Sequence, residues 1–231
     1  MQLEKKTSSS RGEFLDSTMK IAQTFDKFCE DYDSWYSSSD GKLIGNSELL
    51  AVKRVLPNGK GLEVGVSSGF FASALGIRFG IDPSEKCLMK ARDKGVETIL
   101  GVGESLPFKS ESFDFVLYAA SLCFLRDPVA ALGEAHRVLR PGGSVVLCFI
   151  PKESSWGKLY IRKKKSGRRF YEYATFFTNG EVEDLLLRTG FKLEKGCCTL
   201  FQRPGEVSKV ENPVDGRHES AGFCCVRASK I

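Results

Sequence analysis

Histidine is almost missing from this chain: two residues in 231, His136 and His218. That scarcity argues against a histidine-rich metal centre and limits the candidates for a histidine base. No C-x-x-C pair occurs among the eight cysteines, so neither a zinc ribbon nor a thioredoxin-type motif is supported. Two adjacent pairs, Cys197-Cys198 and Cys224-Cys225, fall in strand-like segments. Neighbours on a strand point to opposite faces, so neither pair forms a chelate. We expect no metal, and reduced thiols that act as small apolar residues. Long apolar runs are also lacking. Stretches such as "VVLCFI" fall far short of the roughly 20 residues that span a bilayer. The start, "MQLEKKTSSSRGE", is polar with no apolar stretch behind it, which reads against a secretory leader. The expectation is a soluble, cytoplasmic protein with no membrane partner. A net charge of +5 does not by itself point to nucleic acid.

What is present reads as three regions. Residues 1–12 read as a disordered N-terminus. Residues 13–56 read as a helical cap. "FLDSTMKIAQTFDKFCEDYDSWY" places Ile21, Phe25 and Phe28 on one helical face. "SSSDGKLIGNS" breaks that helix, and "SELLAVKRVLP" forms a second one from Ser47 to the residue before Pro57. From 57 to 231 short apolar strands ("GLEVGV", "RFGIDPS", "VETILGV", "SFDFVLYAA", "SVVLCFI") alternate with helical stretches. This spacing predicts βαβ units and a mainly parallel sheet. An irregular basic and aromatic insert occupies about 152–177. A helix capped by Thr178 or Asn179 and two closing strands follow it.

The segment "VGVSSG", Val64 to Gly69, admits three readings. As G-x-S-x-G it would be a hydrolase nucleophile elbow, with Ser67 served by His218 and by Asp114 or Asp127. Against this, the elbow follows what reads as the first strand, and no glycine-rich loop upstream supplies an oxyanion donor. As a dinucleotide turn it lacks the middle glycine, where Ser67 stands, and the third, where Phe70 would obstruct a pyrophosphate. A nucleoside without phosphate fits better. Gly65 and Gly69 would open a tight turn, and Asp82 ends the next strand, where a carboxylate accepts from two neighbouring hydroxyls. Gly103 and Glu104 follow the third strand and could meet a base edge.

"LEVGVSSG", "GIDPS", "GVGESLPFKSESFDFVL" and "EAHRVLRPGGSVVL", over about Gly61 to Ile150, together resemble a class I S-adenosylmethionine-dependent methyltransferase of the type 11 or UbiE-like group. The resemblance implies a doubly wound, mainly parallel seven-stranded sheet with helices on both faces, S-adenosylmethionine as cofactor, and methyl transfer. It implies that Glu63 lies near the cofactor's amino group and that Gly65, Val66, Ser67 and Gly69 line its methionine part. Asp82 would hold the ribose and Pro83 would pack on the adenine. Gly103 and Glu104 would flank the adenine edge, and Ala120 and Ser121 would face the sulfonium. Two departures stand out. Ser67 replaces the usual middle glycine, and Val102 stands where many relatives carry an aspartate.

The acceptor wall is expected from the cap and the insert. Tyr32, Trp35 and Tyr36 read equally well as a lid and as an aromatic core face. Trp156, Tyr160, Phe170, Tyr171 and Tyr173 are candidates for shaping an acceptor pocket, and His218 for a base. His136 reads as a surface residue, Glu104 also as a solvated loop acid. No N-P-P-Y-like tetrad follows the fourth strand, where "YAAS" stands, which disfavours that route to nucleobase amines. A small-molecule acceptor is the preferred reading. The basic run "KLYIRKKKSGRR", Lys158 to Arg169, keeps an RNA or protein acceptor as an alternative, with a non-catalytic cofactor-binding protein as a third.

Overall fold

A computed structural model describes residues 3–167 and 171–231, with side chains from residue 18 onward. Among these residues eight strands form one sheet in the order β3-β2-β1-β4-β5-β8-β6-β7. They are β1 (Gly61–Val64), β2 (Phe79–Asp82), β3 (Glu97–Leu100), β4 (Phe113–Ala119), β5 (Leu139–Phe149), β6 (Phe191–Thr199), β7 (Val214–Asp215) and β8 (Phe223–Lys230). The first five run parallel, whereas β8 inserts antiparallel between β5 and β6. The sheet is doubly wound, as the alternating pattern predicts. Its eighth strand is the two-residue β7, too short to leave a period-2 pattern in "ENPVDGRHES". Tertiary contacts hold it. Arg54 pairs with Asp215 at 2.6 Å, and the Gly216 N–H donates to the Gly196 carbonyl at 2.9 Å.

Both faces of the sheet are covered, and the inner strands show why. In β4, Val116 and Tyr118 join one core while Phe115, Leu117 and Ala119 join the other. α5 (Pro128–Val138) and α7 (Asn179–Arg188) bury Leu132, Val138, Val182 and Leu186 against the first face. The second face receives α3 (Phe70–Leu75), α4 (Glu85–Asp93) and α2 (Ser39–Val55), which bury Phe71, Leu88, Val52 and Val55. Capping marks the helix starts. The Ser84 hydroxyl accepts from the Cys87 N–H, Asp127 accepts from the Ala130 N–H ahead of Pro128, and Thr178 with Glu181 forms a capping box. No helix among the described residues is long and apolar enough to cross a membrane.

Four expectations need correction. Residues 1–12 were assigned to disorder, yet α1 runs Leu3–Ser37, because extending a nucleated helix needs only one fixed residue per added hydrogen bond; residues 1 and 2 lie outside the described residues. The Ser/Gly stretch 37–47 does end the first helix, at Ser37, but the second helix begins well before the expected Ser47. α2 starts at Ser39, since the Ser38 hydroxyl accepts from the Gly41 N–H at 3.0 Å. Gly45 lies inside this helix, where a Cβ would sit 2.8 Å from ring atoms of both Tyr36 and Phe70. Glycine here admits an aromatic stack rather than a loop. The insert is not irregular throughout either, for Ser154 caps α6 (Ser155–Lys165); Arg168, Arg169 and Phe170 lie outside the described residues. Finally, four cysteines are paired, Cys29 with Cys87 and Cys198 with Cys224. The adjacent cysteines do point to opposite faces. Antiparallel register sets Cys198 opposite Cys224 on one face and Cys197 opposite Cys225 on the other, a cross-strand relation invisible along the chain.

Gly69 shows how tightly the parts meet. Its φ is 78°, and a Cβ would lie 3.0 Å from both Cα and Cβ of Ala91 on α4. Gly69→Ala adds left-handed strain and overpacking, so it lowers unfolding free energy by about 1–3 kcal/mol in chemical denaturation. An unchanged midpoint would remove this packing role.

Candidate active site

The order in which strands are added reverses between β1 and β4, and at such a switch point the strand tips splay into a crevice. Asp82, the last residue of β2, organises the crevice floor. Its Oδ2 accepts from the Ser67 N–H at 2.9 Å and its Oδ1 from the Ser84 N–H at 2.8 Å. One carboxylate thus ties the turn after β1 to the start of α4. Ser67 sits at φ 46°, a conformation that glycine adopts more readily, and Gly65 at 75°. A Cβ on Gly65 would meet Ser121 Cβ at 2.4 Å. Across the switch point, the Ser121 hydroxyl donates to the Val64 carbonyl at 2.6 Å.

Above this floor lies a cavity of about 800 Å³, within the roughly 300–1,000 Å³ of small-molecule sites. Eight of the expected residues line it: Gly65, Ser67, Asp82, Pro83, Gly103, Glu104, Ala120 and Ser121. Glu63, Val66 and Gly69 do not. Glu63 is buried, accepts a backbone hydrogen bond from Ala72, and keeps Oε2 without a partner. Val66 packs against the Gly80 backbone, and Gly69 against α4. These three shape the turn from behind its ligand-facing side. Val102 also lines the cavity, and Glu104 Oε1 accepts from the N–H groups of Arg126 and Asp127, which braces the loop before α5.

The roof is aromatic. Tyr32, Trp35 and Tyr36 of α1 face the cavity opposite Trp156 and Tyr160 of α6, with Tyr171 and Phe176 beyond. Tyr36 stacks on Phe70 with centroids 3.7 Å apart, and its hydroxyl lies 3.2 Å from that of Tyr32. Of the insert aromatics, Tyr173 does not line the cavity, and Phe170 lies outside the described residues. α1 is fastened over the floor through α4. Asp26 accepts from the Ser84 hydroxyl at 2.6 Å and the Lys86 N–H at 3.1 Å, Asp33 pairs with Lys94, and Cys29 joins Cys87.

His218 is placed elsewhere. Its ring packs edge-on against Phe201 and its Nε2 lies 3.0 Å from the Asp215 carbonyl. It does not line the cavity, so the expectation of a histidine base is corrected. A Ser67 triad is not assembled either. Ser67 Oγ has no hydrogen-bond partner, Asp114 binds the Lys60 N–H and Arg140, and Asp127 caps α5. Buried carboxyls carry the electrostatics instead. Burial raises Asp82 to about 6 against the restraint of its two N–H donors, and burial raises Glu63 well above the carboxylate range. Sequence reasoning missed Glu48 on α2, a buried carboxyl on the cavity wall that burial lifts to about 8. Only its i−4 relation to Val52 on a buried helix face could have signalled it.

A nucleoside cofactor with an amino-acid tail and no phosphate fits this floor. Asp82 has two lone-pair positions beyond those its backbone donors use. Ser67 holds a buried hydroxyl without a partner, and the Gly65 turn leaves no room for a side chain between it and Ser121. Known proteins agree. The family described as "Methyltransferase domain" matches residues 62–147. A solved structure from Thermotoga maritima, described as an S-adenosylmethionine-dependent methyltransferase and possible histamine N-methyltransferase, superposes with TM-score 0.86 at 39% identity, covering 91% of this chain and all of that one. An uncharacterized protein of Methanocaldococcus jannaschii is 39% identical over 207 residues, 90% of this chain and 98% of its own. A demethylmenaquinone methyltransferase of Staphylococcus epidermidis is 28% identical over 141 residues, 55% of this chain and 58% of its own.

The Asp82 clasp has a signed pH dependence. Its carboxyl rises from 3.8 to about 6 on folding, so the stability it contributes is fully present below 3.8 and is lost as pH rises through about 6. The shift corresponds to about 2–3 kcal/mol. Asp82→Asn therefore flattens the stability profile between these pH values relative to the parent chain, measured by urea unfolding across pH 3.5–7. Parallel profiles would remove Asp82 as the titrating group.

Proposed function

The chain belongs to the S-adenosylmethionine-dependent methyltransferases, and on that premise we propose that its acceptor is a small molecule held between α1, α2 and α6 above the cofactor floor. The observation that carries this reading is the roof. It covers the strand tips with aromatic side chains on one side of the cavity, leaving a space suited to a compact apolar body. Two relatives, a possible histamine N-methyltransferase and a demethylmenaquinone methyltransferase, also bear names that refer to small acceptors.

When bound, S-adenosylmethionine supplies an activated methyl carbon: the acceptor's lone pair forms the new bond as the carbon–sulfur pair returns to sulfur. The chain's own residues position and enclose. Asp82 accepts from the ribose hydroxyls with the lone pairs its backbone donors leave free, Pro83 packs on the base, and Gly103 and Glu104 flank the base edge. Gly65 and Ser67 border the amino-acid tail, with Glu63, Val66 and Gly69 setting the turn's shape. Ala120 and Ser121 border the methyl-bearing side. The roof excludes water and aligns the acceptor, and such positioning can supply much of the barrier reduction.

The basic insert supports the small-molecule reading more than RNA. Lys163 lies 5.1 Å from the Tyr160 ring centroid and 5.9 Å from that of Tyr171, and Lys164 donates to the Ala174 carbonyl at 2.8 Å. Two of its cations are thereby engaged in building the roof.

Titration calorimetry should show binding of S-adenosylmethionine and none of NAD, with Asp82→Asn weakening the former by about 1–3 kcal/mol. Methyl-labelled donor incubated with a metabolite extract and, separately, with bulk RNA should label the small-molecule fraction. Label confined to RNA, together with a salt-sensitive gel shift, would replace this acceptor assignment.

A further inference from the structure

Glu48 stands apart from every other carboxyl in the cavity. It is 8% exposed, and what it does expose faces the cavity. Among the described residues it has no hydrogen-bond or ion-pair partner. Burying an unpaired carboxyl is costly unless something neutralises it. Asp82 pays out its charge to two backbone N–H groups, whereas Glu48 has nothing of the kind. Its surroundings are rings. Tyr32 and Tyr36 of α1 and Tyr160 of α6 lie close enough to feel its charge, as does the buried Cys225 of β8. Lys163, Arg126, Asp31 and Asp40 line the same cavity. A buried carboxyl without a partner, near three phenol groups on the wall of a cavity lined by aromatic side chains, is complementary to one kind of ligand group: a cation with donors, carried on an apolar or aromatic body.

Resting on the small-molecule reading above, we propose that Glu48 is the acceptor-binding carboxyl and that the acceptor is a small amine, which enters as an ammonium and gives its proton to Glu48. The bookkeeping is simple. The ammonium N–H bond breaks, its electron pair stays on nitrogen as the lone pair that attacks, and the proton moves to a Glu48 carboxyl oxygen and then to solvent as product leaves. No oxidant or further reactant is needed. Burial lifts the Glu48 carboxyl to about 8, so an ammonium beside it favours the ionised form and the carboxyl can then hold the proton it receives. A neutral hydroxyl or hydroquinone acceptor would not favour the ionised form of Glu48, and an anionic one would oppose it.

The test uses the full chain with S-adenosylhomocysteine present and reads binding through tryptophan fluorescence, since Trp35 and Trp156 line the cavity. The probes are 2-phenylethylamine and its uncharged isostere 2-phenylethanol. The amine should bind at least tenfold more tightly than the alcohol, and Glu48→Gln should abolish that preference. Glu48→Asp should restore part of it, which guards against a folding defect, and calorimetry should give both variants the parent's affinity for S-adenosylmethionine. The amine preference should strengthen as pH rises through about 8, where the free Glu48 carboxyl ionises, and this limb should vanish in Glu48→Gln. Equal binding of the two probes, no binding of either, or a preference that survives Glu48→Gln overturns the proposal. Loss of S-adenosylmethionine binding by the parent chain would instead strike the underlying methyltransferase reading.

Discussion

The site depends on one carboxylate that does two jobs in opposite directions. Asp82 receives the Ser67 and Ser84 N–H groups, so the turn after β1 and the start of α4 are held to the same pair of oxygens. Charge-assisted hydrogen bonds of this kind are stronger than neutral ones, which explains how Ser67 is kept at φ 46° without being glycine. The Ser121 hydroxyl adds a second tie from the tip of β4 to the Val64 carbonyl at the end of β1. Together these bonds set the spacing of three strand tips before any ligand arrives. A preformed floor spares the ordering entropy that binding would otherwise have to overcome.

The roof is built on a different principle. Its ties to the floor are peripheral and fasten α1 to α4: Asp26 at the N-terminus of α4, where a carboxylate meets free N–H groups and the positive end of the helix dipole, and Asp33 on Lys94. Its interior consists of stacked and edge-on rings, admitted by the absence of a side chain at Gly45. Floor and roof therefore divide the chemistry. Hydrogen bonds order the strand tips below, and aromatic enclosure with one buried, unpaired carboxyl, Glu48, lies above.

Much of the floor was legible because it is local. "GLEVGVSSG" and "GIDPS" each contain a strand, its end and the following turn within a few residues, so Gly65, Ser67, Asp82 and Pro83 could be located from spacing and likeness alone. The roles of Glu63, Val66 and Gly69 were less legible. They share the same short motif yet face away from the cavity, and only the turn's actual path separates the residues it presents from those it packs. The insert gave little warning of α6, since "KLYIRKKKSGRR" is dominated by charge, and the Ser154 cap that starts the helix resembles any loop serine.

By itself the sequence determined the alternation of the first five strands with helices and the residues that stand at the strand tips, because hydrophobic period and turn chemistry act between near neighbours. Tertiary structure alone decided which cysteines meet across β6 and β8, that Gly45 makes room for an aromatic stack, that His218 lies away from the cavity, and that Glu48 is left within it without a partner. Each of these depends on the distance between residues far apart in the chain, and burial and electrostatic pairing are properties of that distance rather than of residue type.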